Sequence, residues 1–215
     1  EVIAADMAHI FTSEAGGGAA FAGVQTWPIV TRRGIFTAAE VEAALRDPNA
    51  SHNPRSRLVA IEQTVNRGGG AVWPLAAIEE LAGAARRHGL VLHMDGARIL
   101  NAQVASGIPA ARMAAPCDTL WLDLSKGLGC PVGGVLAGSR EFIGDAWRWK
   151  HRMGGALRQS GVIAAAGLYA LDHNVERLAE DHANAKRLAE MIGNIAGMGI
   201  MNPEGETNIV FIDPT

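Results

Sequence analysis

Lys126 is the residue of this sequence with the clearest capacity for chemistry. It follows an apolar run in Trp121-Leu-Asp-Leu-Ser-Lys-Gly-Leu-Gly, which stops at a Ser-Lys pair and opens into a glycine-rich loop. The other two lysines, Lys150 and Lys186, stand among charged neighbours in helical patterns. The run before Lys126 is typical of a β-strand, and ligands collect at the carboxyl ends of strands in open α/β sheets. A partly buried lysine there loses its proton more readily and forms a Schiff base with a carbonyl.

A second apolar run ends at an acidic residue and an arginine. The segment Leu90-Val-Leu-His-Met-Asp-Gly-Ala-Arg places Asp95 at the end of a predicted strand and Arg98 just beyond it. Two parallel strands that end side by side would bring this carboxylate, this guanidinium and the Lys126 amine around one crevice. Pyridoxal phosphate requires such a set, because a lysine holds its aldehyde, an acid keeps its ring nitrogen protonated and cations lie near its oxygens. The sequence therefore predicts a site for this cofactor.

Composition narrows the class of protein. The 215 residues carry 48% hydrophobic side chains, enough for one sizeable α/β domain and part of a second, and 26 glycines indicate many tight turns. The formal net charge is −3, whereas proteins that bind nucleic acid typically carry an excess of positive charge. Every hydrophobic run is interrupted before it reaches membrane-spanning length. The two cysteines form neither a disulfide framework nor a metal motif, and no secretion signal opens the chain. We expect a cytoplasmic protein that binds no metal, nucleic acid or membrane.

Predicted strands and helices alternate along the chain. The capping-box pattern Thr37-Ala-Ala-Glu begins one helix, and Pro74 begins another that runs to His88. The region after residue 160 reads as one long amphipathic helix, or two joined ones, to Ile192. The predicted strands are 2–5, 58–62, 90–95, 119–124 and 132–137, the last returning antiparallel. Such alternation predicts an α/β fold with a mostly parallel central sheet flanked by helices.

Five segments together resemble the threonine aldolases of the β-eliminating lyase family, within the fold-type-I pyridoxal phosphate-dependent enzymes. They occur in the family's order across nearly the whole chain, and their combination is specific although each piece alone is weak. The matching segments are Ala8-His-Ile, Glu14-Ala-Gly, Leu90 to Asn101, Leu124-Ser-Lys-Gly-Leu-Gly-Cys-Pro-Val-Gly-Gly and Met153-Gly-Gly-Ala-Leu-Arg-Gln-Ser-Gly.

The resemblance implies a role for five residues. Lys126 would be the Schiff-base lysine, and Asp95 would face the pyridine nitrogen of the cofactor. His9 would stack on the cofactor ring and take part in proton transfer. Arg98 would lie at the phenolic oxygen of the cofactor or at the substrate carboxylate. Arg158 would reach the cofactor phosphate, across a subunit interface in one arrangement, as arginine is a good planar phosphate ligand.

The chain departs from the family at the residue that handles the substrate hydroxyl. The family commonly has Glu-Asn-Thr-His-Asn after the third strand, whereas this sequence has Glu62-Gln-Thr-Val-Asn, which puts Val65 in the place of the histidine. The general base is then His9, a water molecule or another residue, or the reaction differs from threonine cleavage. Thr64 and Asn66 could orient a substrate but are poor bases.

The function implied by the resemblance is cleavage of a β-hydroxy-α-amino acid, of the threonine or allo-threonine type, to glycine and an aldehyde. Two alternatives stay open: another pyridoxal phosphate-dependent lyase or racemase reaction on the same fold, and a non-catalytic, truncated homologue. The expected domains are a large cofactor-binding domain over 1–170, lacking its N-terminal part, and a linking helix with the start of a small C-terminal domain over 171–215. A homodimer or homotetramer is expected, since sites of this superfamily lie at subunit interfaces.

Overall fold

The computed structural model describes residues 1–214, which form a central β-sheet with helices packed against it. The strands are β1 Val2–Ala5, β2 Thr26–Ile29, β3 Leu58–Glu62, β4 Val91–Gly96, β5 Thr119–Asp123, β6 Gly134–Gly138, β7 Met198–Ile200 and β8 Ile212–Pro214. The helices are α1 His9–Thr12, α2 Gly17–Ala22, α3 Ala38–Ala44, α4 Leu75–Arg87, α5 Ile99–Ser106, α6 Ala110–Ala114, α7 Arg140–Arg152, α8 Gly161–His173 and α9 Leu178–Gly193. A short 3-10 helix, Glu14–Gly16, precedes α2.

The sheet has six strands in the order β2-β1-β3-β4-β5-β6. The first five strands in this order are parallel, and β6 pairs antiparallel with β5. The carboxyl ends of β3, β4 and β5 therefore lie along one edge, which is where parallel sheets bind ligands. The predicted mostly parallel sheet and the antiparallel return of the strand after Lys126 are both confirmed.

Local signals explain where two of the helices begin. The Thr37 side chain accepts a hydrogen bond from the Glu40 amide at 3.2 Å, and the Glu40 carboxylate accepts from the Thr37 amide at 2.7 Å. This reciprocal pair satisfies two amides that α3 leaves without helical partners, as the predicted capping box requires. Pro74 is the N-cap of α4 rather than its first helical residue, and Gly89 follows the helix with a φ of +65°.

The region after residue 160 forms two helices. α8 ends at His173, and after a short connection α9 runs from Leu178 to Gly193, which matches the prediction of two joined helices. The proposed domain boundary at residue 170 falls inside α8, and the division into 1–170 and 171–215 stays a prediction.

The hydrophobic core lies between the sheet and the helices on one side of it. Ile3, Leu92 and Met94 project from the central strands and are almost completely buried. Phe36 and Trp73 meet edge to face in the same core, with their ring centroids 5.0 Å apart. This packing fixes the central strands and thereby the edge at which they end.

Residues 198–214, near the end of the chain, pack against the turn that follows β3. β7 and β8 form a separate antiparallel pair, and the segment between them docks on the glycine turn that follows β3. The buried Asn202 side chain donates to the Gly69 carbonyl at 3.2 Å, and the Thr207 hydroxyl donates to the Gly70 carbonyl at 3.0 Å. The two glycines have φ of +71° and +76°, and a Cβ on either would collide with these two side chains.

Among residues 1–214, no helix is both long enough and apolar enough to cross a membrane.

Candidate active site

The side chains of β4 alternate between the two faces of the sheet, and this alternation places two polar residues on the face opposite the core. Leu92 and Met94 point into the core, whereas His93 and Asp95 point to the opposite face and are half-buried there. Parallel pairing places Glu62 of β3 on one side of Asp95 and Trp121 of β5 on the other. An acid, a histidine and an aromatic ring thus line one face of the sheet at the ends of three strands.

A cavity of about 320 Å³ opens above this face. It brings together four of the five predicted site residues, which are His9, Asp95, Arg98 and Lys126. The remaining lining comprises Ala8, Ile10, Glu14, Gly18, Ala60, Ile61, Glu62, His93, Ala97 and Trp121. Apolar walls with a few convergent polar groups are typical of a small-molecule site.

The Lys126 ammonium is held at the end of β5. It donates to Oδ2 of Asp123, and its Nζ lies 5.0 Å from the centre of the Trp121 ring. The Lys126 side chain is 34% exposed, whereas that of Asp123 is only 7% exposed. The amine is therefore reachable from the cavity while its counter-ion is buried beneath it.

Asp95 and His93 lie in a poorly solvated environment. Burial raises the pKa of Asp95, although the Ala97 amide and the nearby His93, Lys126 and His9 act in the opposite direction. Burial also lowers the pKa of His93, against the opposing charge of Asp95. His93 is thereby held neutral, with Nδ1 2.8 Å from the Thr119 hydroxyl. A cation placed beside Asp95 would stabilise its ionised form.

Glu62 joins two loops at the cavity wall. Its Oε2 accepts from the His9 amide at 3.0 Å and its Oε1 accepts from the Asn66 amide at 2.8 Å. Burial raises the pKa of Glu62 despite these two hydrogen bonds, and the neighbouring Asp95 charge adds to the rise. Glu62 thus fixes the backbones of the two residues whose side chains meet next to it.

The His9 imidazole is oriented by hydrogen bonds on both ring nitrogens. The Asn66 amide group donates to Nε2 at 2.8 Å, so the ring proton of a neutral His9 sits on Nδ1, which faces the Glu14 carboxylate at 3.3 Å. Val65, in the place of the family histidine, is 1% exposed and packs on the glycine turn instead of lining the cavity. Thr64 is also fully buried. Of the three residues considered around this position, Asn66 is the one whose side chain is hydrogen-bonded to a predicted site residue within residues 1–214.

The two predicted arginines have different positions. Arg98 lines the cavity, and its buried Nε has no hydrogen-bond partner among residues 1–214. Burial lowers the pKa of Arg98, while the charges of Glu62, Asp123 and Asp95 favour its cationic form. Arg158 lies on an exposed turn between α7 and α8 and is not part of the cavity lining. Its contact with a cofactor phosphate stays a prediction.

Sequence reasoning missed four residues of the site: Glu62, His93, Trp121 and Asp123. Strand alternation was a usable signal for one of them, because His93 is two residues before the predicted Asp95. The parallel register aligns Glu62 with Asp95, and this pairing becomes visible only when the strands are assembled.

Comparisons with known proteins agree with this fold. A sequence profile of the family described as beta-eliminating lyase matches residues 1–215. The low specificity L-threonine aldolase of Escherichia coli K12 is 41% identical over 213 residues, which cover 99% of this chain and 62% of that protein. The low-specificity L-threonine aldolase 1 of Arabidopsis thaliana is 39% identical over 215 residues, covering 99% and 60%. The chain thus spans about 60% of the length of these curated relatives.

Solved structures show the same architecture. The threonine aldolase of Leishmania major superposes with a TM-score of 0.82 at 21% identity, over 95% of this chain and 60% of that one. An aspartate aminotransferase of Thermus thermophilus superposes with a TM-score of 0.69 at 18% identity, over 94% and 55%. The fold is that of the fold-type-I pyridoxal phosphate-dependent enzymes. The family match over the full length places the chain more narrowly: it belongs to the beta-eliminating lyase family.

Proposed function

We propose that the protein binds pyridoxal phosphate and cleaves a β-hydroxy-α-amino acid of the threonine type to glycine and an aldehyde. The observation that carries the proposal is the convergence of Lys126, Asp95, His9 and Arg98 on one cavity at the carboxyl edge of the sheet. The threonine aldolases among the relatives supply the reaction class.

The residues present fit the cofactor. Lys126 offers an amine that is accessible from the cavity, and Asp95 offers a half-buried carboxylate whose raised pKa a cationic ring nitrogen would lower again. The Arg98 Nε is a buried donor with no partner in residues 1–214, suited to an anionic oxygen. Pyridoxal phosphate, when bound, supplies an aldehyde for the amine and a ring that takes up electrons released at the substrate Cα.

The other roles in the proposed reaction fall to individual side chains of this chain. Lys126 would hold the aldehyde carbon and return to it after each turnover, and Asp95 would keep the ring nitrogen protonated. His9 would accept the proton of the substrate β-hydroxyl at Nε2, in exchange for the hydrogen bond from Asn66, as the Cα–Cβ bond breaks and the aldehyde leaves. Before the hydroxyl arrives, Glu62 and Asn66 would keep the imidazole in place, because they hold its backbone and its Nε2. General base catalysis of this kind contributes about 10²–10⁴-fold.

The proposal is tested on the intact protein with pyridoxal phosphate and borohydride. We expect a visible-edge absorbance band, a reduced cofactor adduct on the peptide that contains Lys126, and the loss of both in Lys126→Ala. Threonine should then yield glycine and acetaldehyde in equal amounts. An unmodified Lys126 peptide in the wild type would refute the cofactor assignment, and a keto acid with ammonia as products would refute the aldol reaction.

We further propose a cytoplasmic protein that forms a homodimer or homotetramer. Both cysteines are free thiols, Cys117 with a pKa raised by burial to about 12, which suits a reducing compartment. Trp147 and Trp149 of α7 are half-exposed, and half-exposed aromatic side chains are typical of interfaces. Light scattering of the intact protein tests the assembly, and a monomeric mass would refute it.

A further inference from the structure

Asp123 is a buried carboxylate directly beneath the reactive amine. It is the last residue of β5, and both of its oxygens have partners. Oδ1 accepts from the Ser125 amide and the Ser125 hydroxyl, each at 2.7 Å, and Oδ2 accepts from the Lys126 ammonium. The Asp-Leu-Ser-Lys sequence therefore folds into a compact turn that returns the lysine to the end of its own strand.

The charges around this turn make Asp123 the direct counter-ion of Lys126. Burial acts to raise the pKa of Asp123, but the hydrogen bonds from Lys126 and Ser125 outweigh it, and the pKa lies below its usual value. Asp123 is consequently ionised at neutral pH. Trp121 adds a second contact from the cavity side, with its ring centre 5.0 Å from Nζ. The other charged groups nearby, Asp95 and Arg98, form no ion pair within 4.0 Å in residues 1–214.

An amine attacks an aldehyde carbon through the lone pair of its neutral form, which an ammonium in an ion pair does not have. We propose that Asp123 is a positioning residue that holds the Lys126 ammonium whenever the amine is not covalently engaged. It thereby slows the reaction of Lys126 with aldehydes and gives the released side chain a defined resting place. The biological meaning of this restraint rests on the proposed function, but the restraint itself concerns an amine and a carboxylate and is measurable without the cofactor.

The chain offers its own reference amines, because Lys150 and Lys186 are exposed and lie outside the cavity. Formaldehyde condenses with a neutral lysine amine with loss of water, and cyanoborohydride then reduces the C=N bond to a methylamine. In the cofactor-free intact protein, the rate at Lys126 is divided by the rates at Lys150 and Lys186, each followed by peptide mass spectrometry. We expect Lys126 to be the slowest of the three in the wild type.

Asp123→Asn removes the charge and keeps the shape. It should raise the relative rate at Lys126 by about 2- to 5-fold, the loss expected for one partly exposed ion pair. Ser125→Ala is the matched control, because it removes a hydrogen bond from the same carboxylate without removing charge, and it should raise the relative rate clearly less than Asp123→Asn does. If the Asp123→Asn protein does not fold, Asp123→Ser replaces it, and the same rise in the relative rate at Lys126 is expected.

An unchanged relative rate in a folded Asp123 variant overturns the inference. An equal increase in Ser125→Ala also overturns it, because the effect would then come from the loosened turn rather than from the carboxylate. The two proposals can fail separately. If pyridoxal phosphate does not modify Lys126 in the wild type but Asp123→Asn still raises the relative rate at Lys126, the proposed function is refuted and this inference stands.

Discussion

Gly127, directly after Lys126, is the position where one added methyl group should be most informative. A Cβ on Gly127 would lie 2.5 Å from Cδ2 of Leu178, a side chain of α9 that is 1% exposed. The nearest other atoms, in the Asn101 amide, would be at an ordinary 3.7 Å. Carbon atoms pack at about 3.5–4.0 Å, so Leu178 or the lysine loop must move by about 1 Å. Overpacking of this size costs about 1–3 kcal/mol.

Thermal unfolding of the intact protein measures this cost. Gly127→Ala should lower the Tm by about 2–12 °C, taking about 2–4 °C per kcal/mol for a chain of this size. Gly144→Ala is the matched control: it lies inside α7 with no atom within 4 Å of the new Cβ, and it should be stabilising by about 0.5–1 kcal/mol. Leu178→Ala should remove most of the penalty of Gly127→Ala in a double-mutant cycle. A Gly127→Ala protein as stable as the wild type, or additive effects in the cycle, would refute the packing argument.

Three further predictions concern the cavity. Asp95→Asn should lower the rate of threonine cleavage by about 10²–10³-fold, which is the usual cost of losing one preorganised electrostatic partner. Borohydride should still trap the cofactor on Lys126 in this variant, and an equal loss of cleavage and of trapping would contradict the role assigned to Asp95. Asn66→Ala removes the donor to His9 Nε2 and should cost about 0.5–1.5 kcal/mol of stability, measured by urea unfolding, and an unchanged midpoint would argue against that hydrogen bond. Glu62 has a folded-state pKa above the ordinary value of 4.5, so its ionisation costs stability as the pH rises from about 4.5 through the raised pKa. Glu62→Gln lacks this loss, and its Tm relative to the wild type should rise across that window; a constant difference would refute the buried-charge argument.

Residues at strand ends were the most predictable part of the site. Asp95 and Lys126 each follow an apolar run, and the rule that parallel strands end together sufficed to predict their common crevice. The antiparallel return after Lys126 was also predictable, since the glycine-rich loop is too short for a parallel crossover.

Features that depend on pairing between distant segments were not predictable in this way. β2 was missed because Pro28 argues against a strand, and the proline is tolerated there because β2 is the edge strand of the sheet, next to β1. α5 was missed because its residues 99–106 carry little amphipathic contrast and begin immediately after the Asp95 strand. The orientation of Val65 away from the cavity depends on the glycine turn packed against it.

The docking of residues 202–207 on the glycine turn has a consequence for how the protein is made. Thr207 and Gly70 stand 137 residues apart. At a synthesis rate of about 5–20 residues per second, roughly 7–27 s separate the two on the ribosome. The turn that carries Asn66 gains its hydrogen bonds to Asn202 and Thr207 only after this delay. The residues of the sheet edge with Asp95 and Lys126 are therefore synthesised well before the segment that secures the loop orienting His9, so the His9 side of the binding face receives its last hydrogen bonds latest.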